Sequence, residues 1–134
     1  MEATCVTFEQ AKWLKESGFD EFCNASYRPG DNVFQKIPSQ NSLFSAIAAP
    51  EQWQVVEWLR VNHGIWVTSN PLGDEKDWVR WDYKILDLKN PNCSIDYEVS
   101  QLTKGYEELI KNSFNSPQQA YSAAFDYIKD KKLI

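Results

Sequence analysis

A chain of 134 residues has the length of one ordinary domain and is long enough to bury a core. Its 14 Lys and Arg against 19 Asp and Glu leave a net charge of −5, which argues against a protein whose main task is neutralising phosphates. Cys5, Cys23 and Cys93 are odd in number and contain no CxxC, and Met1-Glu2-Ala3-Thr4 lacks the basic start and apolar run of a secretory leader, so a reducing, cytoplasmic setting is expected and no membrane span is read.

Thr7 with Gln10 three positions later forms a capping box for a first helix that ends near Ser17, with Gly18 as its stop and Phe8, Ala11 and Leu14 on one face. Cys23, Ala25 and Tyr27 then alternate with polar residues, as do Val33, Gln35 and Ile37. The turn-rich Arg28-Pro29-Gly30-Asp31-Asn32 between the two runs makes a hairpin. Pro38 to Ala49 reads as an ordered loop with room for a helical turn.

The clearest helix follows, with Pro50 at its first position, Trp53, Val56 and Leu59 as its core stripe, and Gly64 as its stop. Glu9-Gln10 and Trp13-Leu14-Lys15 ahead of Gly18-Phe19 loosely echo Glu51-Gln52 and Trp58-Leu59-Arg60 ahead of Gly64-Ile65. Ile65 to Thr68 is a short strand, and Ser69 to Asp77 reads as a breaker-rich connection. In Trp78 to Ile85, the residues Val79, Trp81, Tyr83 and Ile85 form an apolar face against Arg80, Asp82 and Lys84, the pattern of an antiparallel sheet packed on one side. Ser94 to Val99 repeats it, and Gly105 to Phe114 could hold a helical turn around Leu109 and Ile110. Ser116 as cap, Pro117 and Gln119 open a last helix with Ala120, Tyr121, Ala124, Tyr127 and Ile128 on its packed face. Lys129, Lys131 and Lys132 suit the negative end of its dipole.

Chemistry-bearing motifs are scarce. No phosphate-cradling glycine loop, dinucleotide fingerprint or Gly-x-Ser-x-Gly elbow occurs, so no cofactor and no catalytic residue is assigned. A zinc site would need all three cysteines plus His63, the one histidine, so no metal is assigned. His63 precedes the stop glycine, where an imidazole can cap the last carbonyls; contact with a ligand is the alternative. Asp74, Glu75 and Asp77, and Asp82, Asp96 and Glu98, read as solvated charge beside Arg80 and Lys84. Trp66 and Trp78 fall opposite Ile65/Val67 and Val79/Trp81. With Arg80 between them, they would make an aromatic face for a protein partner or for self-association, unless Pro38 to Ala49 folds over it.

The runs Phe8 to Glu21, Ala49 to Arg60 and Phe114 to Tyr121 resemble a group of short uncharacterised proteins of bacteriophages, prophages and gut bacteria, with Trp53 departing from the polar residue expected there. The resemblance covers most of the chain and implies a shared fold and a small intracellular accessory role, without functional residues to carry over. The expected architecture is a single α+β domain over residues 1–134: two layers, an antiparallel sheet of about five strands with about three helices on one face. The leading function is a non-catalytic protein-interaction module, with Trp66, Trp78, Arg80 and His63 as candidate binding residues. A small-ligand-binding domain or enzyme with a site near His63 is the alternative, and nucleic-acid association comes third.

Overall fold

The computed structural model describes residues 4–73, 79–89 and 113–134, without the side chains of residues 72, 73 and 79. In chain order the elements are α1 (Phe8–Glu16), β1 (Ser26–Tyr27), β2 (Phe34–Gln35), β3 (Ile47–Ala48), α2 (Gln52–His63), β4 (Ile65–Gly73), β5 (Val79–Asp87) and α3 (Pro117–Asp130). Three helices and five strands among the described residues, with every ladder antiparallel, make an α+β fold. The strands divide into two sheets, β2-β1-β3 and β4-β5, instead of the single sheet expected. The chain likewise divides into two compact units, Met1–Trp58 with Ile128–Ile134, and Leu59–Tyr127.

In the first unit, α1 starts as its sequence dictates. The Gln10 amide N–H donates to Thr7 Oγ1 at 3.3 Å, and the Thr7 N–H returns to Gln10 Oε1 at 3.1 Å. At its other end Phe19 N–H reaches Leu14 C=O and Gly18 N–H reaches Lys15 C=O, a Schellman closure that needs the positive φ of +96° at Gly18. Leu14, Phe19 and Ala11 are buried, and the Phe19 ring meets Trp58 edge to face at 5.5 Å. β1 and β2 form the expected hairpin, its turn closed by Arg28 N–H to Val33 C=O and by Arg28 pairing with Asp31.

Two features of this unit differ from the expectation. Ile47–Ala48, inside the predicted loop, pairs with β1 as a third strand; a two-residue strand is too short to show the alternation that marks one. Pro50 lies outside α2 and is buried. Its carbonyl accepts from Val6 N–H at 3.0 Å while Gln52 N–H donates to Thr4 C=O at 2.8 Å, so Glu51 is held as the antiparallel bridge partner of Cys5. Glu51 therefore takes the cap position: its carbonyl accepts from Gln54 and Val55, and its own N–H donates to Gln54 Oε1. The buried face of α2 includes Leu59 as expected but is otherwise turned from the expected stripe, with Val56 only half-buried. Val55, Trp58 and Leu59 are buried, whereas Trp53, expected in the core, is 63% exposed and donates its indole N–H to the Glu51 carboxylate.

In the second unit, β4 does not stop at Thr68. It continues through Ser69–Gly73, and nine residue pairs register with β5 from Ile65↔Asp87 to Gly73↔Val79. Pro71 is accommodated because its partner Trp81 exchanges both backbone bonds, at 2.9 and 2.7 Å, with Phe114 on the far side of β5. In an antiparallel ladder such a residue faces its other neighbour in a non-hydrogen-bonded pair, so the missing N–H of Pro71 costs no bond. The same alternation turns the Tyr83 N–H away from β4, and it donates to Asp82 Oδ1. Phe114 is thus an isolated antiparallel bridge partner and not part of a helical turn. The remainder of the turn read at Gly105 to Phe114, the strand read at Ser94 to Val99, and Asp74, Glu75, Asp77, Trp78 and Cys93 lie outside the described residues.

Helix α3 is capped by Ser116, whose Oγ accepts from Gln119 N–H; Gln119 Oε1 in turn accepts from the Asn115 N–H, one residue before the cap. Ala120, Ala124 and Ile128 are buried as expected, and Phe125, on the same stripe, is fully buried too. The helix closes with Leu133 N–H to Ile128 C=O and Lys132 N–H to Lys129 C=O, which forces Lys132 to φ +53°. Gly18→Ala is expected to cost about 1 kcal/mol, all of it from backbone conformation because no atom lies within 4 Å of the added methyl. Lys132→Gly, at the equivalent position of α3, is expected to gain up to about 1 kcal/mol. Chemical denaturation of the two variants checks the opposite signs.

Candidate functional site

Alternation along β4 and β5 sorts their residues onto two faces. Ile65, Val67, Tyr83 and Ile85 are buried on one. Trp66, Thr68 and Asn70 stand on the other, directly opposite Leu86, Lys84 and Asp82. Trp66 is 42% exposed with Leu86 as its cross-strand neighbour, so it is a large ring on the side of the ladder away from the buried one.

Arg80 shares that face, but it pairs with Leu72, six residues along β5 from Leu86, which at about 3.3 Å per residue is about 20 Å from Trp66. Its guanidinium is engaged: Nε donates to Ser113 Oγ at 2.9 Å, Nη2 to the Ser113 carbonyl at 2.7 Å, and Nη1 to the Asn115 side-chain oxygen. The half-buried Arg80 thus clasps the 113–115 segment that pairs with Trp81, and the structure does not bring it together with Trp66. Trp78 lies outside the described residues.

His63 ends α2, and Gly64 follows with φ +64°. The Gly64 carbonyl accepts from Leu88 N–H at 2.7 Å, and the Lys89 side chain passes 3.1 Å from where a Cβ would stand. A helix stop, the first rung of the β4–β5 ladder and a lysine stem therefore meet at one glycine. Partial burial and then the Lys89 charge hold the imidazole below its ordinary pKa.

A second site, absent from the sequence reading, lies in the first unit. Tyr27 on β1 with Ala25 just before it, Phe34 on β2 with Lys36 just after it, Ala49 and Glu51 after β3, and Cys5 beside Glu51 line an open cleft of about 510 Å³. The small side chains Ala25 and Ala49 leave its depth. Tyr27 and Phe34, ring centres 5.7 Å apart and edge to face, make one wall. Tyr27 is fixed from behind by Phe8 at 5.5 Å and by its hydroxyl, which donates to the Val6 carbonyl at 2.6 Å. The period-two spacing of Ala25/Tyr27 was legible in the sequence. The pairing of Ala49 with Ala25 and of Cys5 with Glu51 was not, since each joins segments far apart in the chain.

Next to this cleft, Cys23 is fully buried, and burial, followed by the negative charges of Glu21, Cys5 and Glu51, pushes its thiol up to about 12. Among the described residues no three His, Cys, Asp or Glu side chains gather as a metal ion would require, and no helix is long and apolar enough to cross a membrane.

Cys23 is expected to resist alkylation in the folded protein while half-buried Cys5 reacts first, a difference that peptide mapping after brief iodoacetamide treatment reads directly. For His63 the folded pKa lies below the unfolded value near 6.5, so the unfolded chain takes up a proton that the folded chain resists. Stability is expected to fall as pH drops below about 6.5 and to level off beneath the folded pKa; His63→Gln removes this component from the pH profile. Comparison of the chain with protein-family models, with curated proteins and with solved structures finds no match in any of the three.

Proposed function

We propose that this chain is a small accessory protein of the kind its sequence resembles in phages, acting as a non-catalytic protein-interaction module through the outer face of β4–β5. The observation that carries the reading is Trp66, 42% exposed on the face opposite the buried Ile65 and Val67, with Leu86 beside it. Tryptophan contributes more than most residues to interface energy, because it removes a large apolar area from water at small entropic cost. Arg80 serves this face indirectly, since its bonds to Ser113 and Asn115 fix the far edge of β5 and stiffen the platform. The net charge of −5 favours a protein partner over a polyphosphate.

Trp66→Ala is expected to abolish self-association in sedimentation velocity, or retention of a partner in affinity capture, while changing stability by no more than about 0.5 kcal/mol. Trp53→Ala, which removes an exposed indole in the other unit, is the control and leaves association unchanged. Equal association of wild type and Trp66→Ala in both assays would overturn the reading.

A further inference from the structure

The Trp66 end of the β4–β5 ladder carries charge as well as an indole. Trp66 pairs with Leu86, and one position past the Ile65↔Asp87 pair the exposed Leu88 gives its N–H to the Gly64 carbonyl at 2.7 Å. Lys89 follows. Its Cγ, Cδ and Cε lie 3.1, 3.4 and 3.4 Å from the place of a Gly64 Cβ, so the whole stem is laid against that glycine. The ammonium, one bond further on, therefore stands within about 13 Å of the Trp66 backbone.

Lys89 is exposed and, among the described residues, makes no ion pair. Asp87 accepts the Lys89 backbone N–H at 3.0 Å, but it shares a pair with Ile65, on the face away from Trp66. On the face of Trp66 itself the next pair holds Lys84, and the first carboxylate, Asp82, comes one pair later with an oxygen taken by the Tyr83 N–H. The charge nearest the indole is thus positive, in a chain of net charge −5. A partner that offers an apolar side chain to Trp66 and a carboxylate to Lys89 satisfies both, whereas a basic one is repelled at the point of contact. An anionic membrane or a polyphosphate meets the repulsion of the entire chain. A single carboxylate on a peptide feels chiefly the charges within about 8 Å of it, and there Lys89 prevails.

We propose that the partner of the Trp66 face is an acidic peptide segment, with one large apolar residue seated on Trp66 and Leu86 and an Asp or Glu within about four residues of it to meet Lys89. An extended segment covers about 3.3 Å per residue, so four residues span the distance between anchor and ammonium. The inference rests on the reading of Trp66 as an interaction anchor and adds the chemistry of what binds there. The charge pair, being exposed, orients the segment and speeds its arrival more than it tightens the complex.

The test is selection of a random-peptide phage library on the immobilised full chain, with Trp66→Ala protein used to discard peptides that do not need the indole. The retained sequences are expected to combine a large apolar residue with Asp or Glu within about four positions. Synthetic peptides from that set should bind about three to ten times more weakly to Lys89→Glu, and the loss should shrink with added salt. Lys89→Met, which keeps a stem against Gly64, should lose less, and exchanging the carboxylate of the peptide for a lysine should restore binding to Lys89→Glu. His63, the one histidine, reports contact independently: Lys89 already acts on its imidazole, whose pKa should rise when a carboxylate arrives. Trp66-dependent peptides without acidic residues, or equal binding by folded Lys89→Glu, would overturn the proposal. So would phosphatidylserine vesicles that bind the chain through Trp66 and Lys89 where peptides do not. If no peptide depends on Trp66, the interaction reading itself falls and takes this inference with it.

Discussion

Two backbone hydrogen bonds, Val6 N–H to Pro50 C=O and Gln52 N–H to Thr4 C=O, set much of what the first half of the chain becomes. They hold Glu51 as the antiparallel bridge partner of Cys5, so α2 begins at Gln52 with Glu51 as its cap. Along the helix Val55, Trp58 and Leu59 are buried while Trp53 turns out and meets Glu51. The same pairing lays Cys5 beside Glu51 and completes the wall of the cleft. Buried backbone groups need partners, and here satisfying them outweighs the preference of proline for a first helical position.

The second half depends on a similar rule of the backbone. Because Trp81 gives both its bonds to Phe114, its opposite number in β4 needs none, and a proline can continue the strand. That continuation matters for the surface. A nine-pair ladder of fixed alternation puts Ile65 and Val67 on the buried side and leaves Trp66 facing away from them. Arg80 reinforces the arrangement by gripping the segment on the other edge of β5, so a residue with the chemistry of an interface anchor acts as an internal clasp.

Local punctuation was readable because its physics is local. Thr7 and Gln10, Gly18, the Arg28–Asn32 turn, Gly64 and Ser116 each act within a few residues, and each occupies the role that its chemistry dictates. What could not be read involves residues distant in sequence. β3 is visible only as a partner of β1, the extension of β4 only as a partner of β5, and the engagement of Arg80 only once Ser113 and Asn115 lie beside it. Of the candidate site, Trp66 was legible through alternation alone, while the cleft required four segments to assemble.

The sequence by itself determined the helix caps and stops, the hairpin turn, the α+β class and the exposed side on which Trp66 stands, since those follow from short-range hydrogen bonding and from periods of two and 3.6 residues. Tertiary structure alone decided that the strands form two sheets, that Pro50 lies outside its helix and Pro71 inside a strand, and that two alanines, two rings and two opposite charges enclose one cleft. The reason is that a backbone donor or acceptor declares its need locally but finds its partner only where the folded chain brings one.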